Sequence, residues 1–146
     1  MTRINITILY CVLLMLTGCG PPQAKRMPLH KVHRIRELTK PESTHSCLCV
    51  HIKAPHSESI YILGEAEDRS AFVEMFSFLK GEKCYPNADT LNSRMPETLC
   101  SAFGTETVFT QTDEYWYLPD AVAPLYGYAA YSSSSQVFYL EYHWGF

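Results

Sequence analysis

LYGYAAY (residues 125–131), SSSS (132–135) and QVFYLEYHW (136–144) read as two strands and the turn that joins them. Aromatic and β-branched residues at every second position suit a pleated surface, and a short polar loop closes antiparallel neighbours. In the second strand Phe138, Leu140, Tyr142 and Trp144 form one apolar face, and Val137, Tyr139, Glu141 and His143 form the other, amphipathic one. The first face is expected in a core, the second at least partly in solvent. The run ends at Phe146, as terminal strands of outer-membrane barrels do. Such barrels need at least about eight strands of about 9–11 residues, more than this chain supplies, so a soluble sheet is expected.

Upstream the same period of two recurs. Leu48, Val50 and Ile52 alternate with Cys47, Cys49 and His51, and residues 59–64, 105–111 and 115–118 are further strand candidates. Asp113 and Glu114 form a turn before the last of these, while Pro119 and Pro124 bracket a loop after it. Residues 68–80 differ. Phe72, Met75, Phe76 and Leu79 fall at helical spacing, Asp68 is placed to cap the start and Gly81 to end it. About 100 residues in this region suffice for one core and not two. The expectation is therefore a mainly β fold, a small antiparallel β-sandwich with one short helix, immunoglobulin-like if residues 70–80 prove extended.

The N-terminus carries an address. Arg3, an apolar run from Ile4 to Leu16, and Leu16-Thr17-Gly18-Cys19 resemble a bacterial lipoprotein signal ending in a lipobox. The run is shorter than the roughly 20 residues of a membrane-spanning helix. Residues 1–18 are then a cleaved signal, Cys19 the lipidated terminus, and residues 19–43 a basic linker holding Lys25, Arg26, Lys31, Arg34 and Arg36 beside the membrane. Val32, Ile35 and Leu38, three apart, are spaced for a short helical turn within it. Gly20 at the position after the cysteine, in place of Asp, points to the outer membrane, with the protein facing the periplasm. Residues 44–146 form the globular domain.

All fifteen acidic residues lie from Glu37 onward, against six Lys or Arg there. That balance argues against nucleic acid as a ligand and favours a basic protein partner, drawn by charge and anchored by aromatic side chains. Tyr115, Trp116 and Tyr117 are consecutive, so at least one must leave the core face of a strand; they are the candidate partner contacts.

Beyond Cys11 in the signal and Cys19, the chain holds Cys47, Cys49, Cys84 and Cys100. In an oxidising compartment these are disulfide candidates. A Cys47–Cys49 bond closes too small a ring, which leaves Cys49 with Cys84 and Cys47 with Cys100, or the reverse. A rival reading takes His45, Cys47, Cys49 and His51 as metal ligands. Alternate strand residues stand about 6.8 Å apart, so all four cannot reach one ion, and no metal or other cofactor is expected. No G-x-S-x-G, H-E-x-x-H, phosphate loop or dinucleotide fingerprint is present. Residues 132–135 are explained as turn chemistry and Glu141 with His143 as a solvated pair, so no catalytic residue is assigned.

The order of lipobox, charged linker, Cys49-Val50-x-Ile52, Ile60-Tyr61-Ile62 and Cys84-Tyr85-Pro86 resembles that of small enterobacterial periplasmic lipoproteins of the type VI secretion immunity class, over roughly residues 13–86. The resemblance implies a protein that neutralises a toxic effector in the periplasm by occluding its active site, and it implies pairing of Cys49 with Cys84. Gly20-Pro21-Pro22 stands where that family has a Gly-Asp-Arg-like turn, and the tyrosine-rich tail from residue 105, Cys47 and Cys100 are additional. Small acidic periplasmic lipoproteins that inhibit lysozyme, a basic protein, offer a second expectation for the partner. Metal handling by residues 45–51 and a structural accessory role in the envelope are further alternatives.

Overall fold

A computed structural model describes residues 22–35, 38, 45–76, 88–104, 109–110, 113–122 and 125–145, with backbone alone for 114–122 and 125–126. Cys19, Cys84, residues 77–80 and most of the strand expected at 105–111 lie outside these. Six strands form one antiparallel sheet: β1 (Lys25–Pro28), β2 (Ser46–Ala54), β3 (Ser57–Glu65), β4 (Glu114–Val122), β5 (Leu125–Ser132) and β6 (Val137–Gly145), in the order β1-β2-β3-β6-β5-β4. The hairpin expected at the C-terminus is present, with Leu125 opposite Trp144 and Ser132 opposite Val137. Gln136 takes a left-handed φ of 57° as its turn closes.

The fold is thus mainly β and antiparallel, as expected. The two-sheet sandwich is corrected: the six strands are neighbours in one open sheet, and its faces are covered by helices and turns. The first face carries Cys47, Cys49, Ile60, Ile62, Phe138, Leu140, Tyr142 and Trp144, and α1 (Arg69–Met75) packs Phe72 and Met75 onto it. On the second face Leu48, Val50, Leu63, Val137 and Tyr139 meet Leu91 of α2 (Ala88–Arg94), Met95, Leu99 of α3 (Glu97–Phe103) and Phe109. Covering both faces explains why β6 is buried along almost its whole length instead of at alternate residues.

The one expected helix is real but shorter. The Asp68 carboxylate accepts from the Ala71 amide at 2.8 Å, the capping bond its position suggested, yet Phe76 is extended at φ −117°, ψ 97°, so the helix ends before residue 80. α2 and α3 were not expected. Leu91, Met95, Leu99 and Phe103 recur every four residues across the break at Pro96, and Gly104, at φ 88°, donates its amide to the Cys100 carbonyl as a left-handed stop. Phe109 and Thr110 are in no strand. The Asn92 side chain takes both backbone groups of Phe109 instead, donating to its carbonyl at 2.8 Å and accepting from its amide at 3.2 Å. Nor does Pro119 open a loop: β4 runs through it to Val122, with a register shift after Leu118, because a proline at the sheet's edge removes no ladder bond.

The largest correction concerns the linker. Residues 25–28 pair with β2, Lys25 opposite Cys49 and Met27 opposite Cys47, so the folded unit begins well before residue 44. Beyond them Leu29, Val32, Ile35 and Leu38 are buried at 0–4% exposure. Leu29 donates its amide to the His45 carbonyl, and the other three donate to the carbonyl three residues earlier: Val32 to Leu29, Ile35 to Val32 and Leu38 to Ile35. A strap of successive tight turns thereby places one apolar side chain per turn on the first face. The Tyr142 hydroxyl holds it by donating to the His33 carbonyl at 2.6 Å.

Candidate functional site

Glu141 is the one carboxylate buried to 0% exposure among the described residues. Such a charge costs several kcal/mol unless paired and fully hydrogen-bonded. Strand alternation puts it on the second face, expected to be partly solvated, but α2 closes over it. Arg94, in the last turn of α2, donates Nε–H to Oε1 at 2.8 Å and Nη2–H to the same oxygen. Tyr139, two residues away on the same face, donates its hydroxyl to Oε2 at 2.6 Å. The His143 Nε2 is 3.2 Å from Oε1.

Burial pushes the Glu141 carboxyl up, but hydrogen bonds from His143, Arg94 and Tyr139 outweigh it, and the net value falls below the ordinary 4.5. The carboxylate is ionised at neutral pH. Burial, with the charge and hydrogen bond of Glu141 added, drives the Tyr139 hydroxyl well above 10.

The network continues outward. Ser59 on β3 is the register partner of His143, and its Oγ lies 2.7 Å from Nδ1. The Tyr61 ring meets the imidazole edge-on at 5.6 Å, and the Arg94 guanidinium lies 4.8 Å over the Tyr128 ring. Ser59, Tyr61, Tyr128 and His143 are half-buried, and Ile52, opposite Ser59, is the exposed large apolar residue of the described chain at 36%. This end of the second face therefore presents tyrosine, histidine, arginine and isoleucine to solvent above a buried negative charge.

β4 lies next to this surface. Tyr115, Trp116 and Tyr117 stand opposite Ala130, Ala129 and Tyr128, on the strand that ends the sheet order. Their side chains lie outside the described residues. The other end of the sheet order, β1, is only four residues long and bears Lys25, Arg26 and Pro28, features that discourage a further strand.

Cys47, Cys49 and Cys100 are free thiols. Both proposed crossings joined Cys100 to Cys47 or Cys49. They are corrected by the sheet itself, since Cys47 and Cys49 are buried on its first face and Cys100 packs on its second. Burial pushes the Cys47 thiol up to about 12, with Cys49 beside it adding to the effect and Arg26 opposing it, and pushes Cys49 up to about 11. Cys47 donates its S–H to the Met27 carbonyl at 3.4 Å. His45 and His51 do not join the thiols as ligands. His51 approaches Glu58 at 3.2 Å and stacks at 5.5 Å on His33 of the strap, itself 3.6 Å from the same carboxylate oxygen. Among the described residues no group of three or more His, Cys, Asp or Glu is placed to hold a metal ion. His45 lines two open cavities, of about 200 and 490 Å³, at the end of the sheet where β3 and β5 finish, away from Ser59 and His143.

Sequence reasoning placed Glu141 and His143 on one face but missed Ser59, Arg94 and Tyr61. Only the pairing of β3 with β6 and the position of α2 bring these together. No protein-family model, curated protein or solved structure matches the chain.

Proposed function

We propose that this chain is a lipid-anchored protein of the bacterial envelope, held at the outer membrane through Cys19, that binds a basic protein partner and neutralises it in the manner of an immunity protein. The observation that carries the binding reading is Arg94, locked onto Glu141 and stacked over Tyr128 beside half-buried Tyr61 and His143. Arginine and tyrosine dominate interface hot spots, and a side chain already immobilised loses little entropy on binding. The β4 edge extends the surface with backbone groups suited to pairing with a partner's strand.

The lipobox sequence supports the anchor, and the acidic balance from Glu37 onward supports a basic partner whose approach is steered by charge. Thiols buried and held protonated suit an oxidising compartment, because the thiolate is the reactive form.

Binding of the detergent-solubilised full chain to lysozyme and to any secreted toxin encoded by an adjacent gene is the test. Binding that weakens steeply with salt, and by about tenfold or more in Tyr128→Ala, is expected. Preference for one protein over the other decides between immunity and lysozyme inhibition. Failure to bind either defeats the reading. Labelling by palmitate that is lost in Cys19→Ser tests the anchor.

A further inference from the structure

We propose that Ser59 is a nucleophile activated by His143 as general base, with Glu141 orienting the imidazole, and that it is acylated by small esters. The directions of the hydrogen bonds lead there. Glu141, held by Arg94 and Tyr139, accepts only, so the proton between it and His143 sits on Nε2. In the neutral imidazole Nδ1 is then an acceptor, and at 2.7 Å its donor is the Ser59 hydroxyl.

Hydroxyl, imidazole and carboxylate thus form a relay in which each group has the proton arrangement that nucleophilic catalysis requires. The ring nitrogens are used in the opposite sense to the familiar serine hydrolases. The chemistry needs one acceptor nitrogen and one donor nitrogen, and either assignment supplies both.

Satisfying Glu141 does not require Ser59, since Arg94, Tyr139 and His143 already supply the carboxylate's donors. All three relay residues stand on paired strands, where backbone position is fixed better than on a loop. Ser59 and His143 remain half-buried, with the Tyr61 ring against the imidazole and the apolar Ile52 opposite Ser59. That surface suits a short acyl group or an aryl leaving group.

In the step itself the Ser59 oxygen forms a bond to the ester carbonyl carbon as its proton passes to Nδ1. The adduct collapses with cleavage of the carbon–oxygen bond to the leaving alcohol, which takes that proton. Water, activated by the same nitrogen, then releases the acid and restores the serine. The balance is ester plus water giving acid plus alcohol, with no other reactant.

The full chain in mild detergent is treated with a fluorophosphonate probe and, separately, with p-nitrophenyl acetate. A single adduct mapping to Ser59, formed about 100-fold faster than in His143→Ala, is the expected result, since general-base assistance contributes about 10²–10⁴. A second variant covers the case in which His143→Ala fails to fold. Ser59→Cys keeps the base, and its thiol is expected to be alkylated about tenfold faster than the half-exposed Cys100 of the same chain, because an adjacent base raises the thiolate fraction. Absence of any Ser59 adduct, equal rates with and without His143, or a Ser59→Cys thiol no faster than Cys100 overturns the proposal.

Discussion

At the scale of single residues, the buried Glu141–Arg94 pair is asymmetric, and the asymmetry is measurable. The Arg94 side chain is 38% exposed and Glu141 is fully buried. Arg94→Met strands a carboxylate that cannot rehydrate, so a loss of about 3 kcal/mol is expected by urea unfolding. Glu141→Gln frees a guanidinium that can turn to water, and a smaller loss of about 1–2 kcal/mol is expected. Equal losses would mean that Tyr139 and His143 alone hold the carboxylate. The thiols offer a second residue-scale test. With Cys47 raised to about 12 and Cys49 to about 11, neither is expected to alkylate at pH 8 in the folded protein, whereas half-exposed Cys100 reacts first. Mass spectrometry of partially alkylated protein reads the order.

At the scale of elements, the sheet has close contacts that glycines permit, at Gly127 on β5 against the Glu141 backbone and at Gly64 on β3 against Phe138. A Cβ at Gly64 on β3 would lie 2.6 Å from the Phe138 ring on β6 and 3.4 Å from the Cys47 Cβ. Phe138 is fully buried among Phe72, Phe76 and the rest of the first face and has no room to retreat. Gly64→Ala is therefore expected to destabilise by about 1–3 kcal/mol by overpacking, seen as a lower denaturant midpoint. The strap from Leu29 to Leu38 makes the complementary case. Ile35 is fully buried, and Ile35→Ala is expected to cost about 2–5 kcal/mol. A chain starting at Glu37 lacks β1 and most of the strap, so it should bind a hydrophobic dye and lose cooperative unfolding. A stable, dye-free product would show that the strap is dispensable.

For the whole molecule, pH acts through the same buried network. Glu141 titrates below its ordinary 4.5 in the folded state, so its contribution to stability is complete above that value and is lost as pH falls through the lower folded one. Tyr139 titrates well above 10 when folded, so its contribution is complete below 10 and is lost as pH rises beyond it. A stability plateau between these limits is expected, with an acid limb that flattens in Glu141→Gln; thermal melts across pH check it. The molecule is held by a sheet covered on both faces, which gives its large aromatic side chains somewhere to bury: Trp144, Tyr131, Tyr139 and Tyr142 are each at most 2% exposed.

Alternating residues in β2, β3, β5 and β6 were legible because a strand's two faces are written in its local period. So was the Asp68 cap, since its bond spans three residues. Pairing of distant segments was not legible, because nothing in the local pattern of Ser59 names His143, 84 residues away, as its partner. Apolar residues every third position in 29–38 looked like linker because their burial depends on a face formed by strands far along the chain. Glu141 looked solvated for the same reason, since only α2 brings Arg94 to it. The sequence alone determined that β2, β3, β5 and β6 are strands and which of their residues share a face. Only the tertiary structure decided that both sides are covered, because burial of a face is a property of what packs against it.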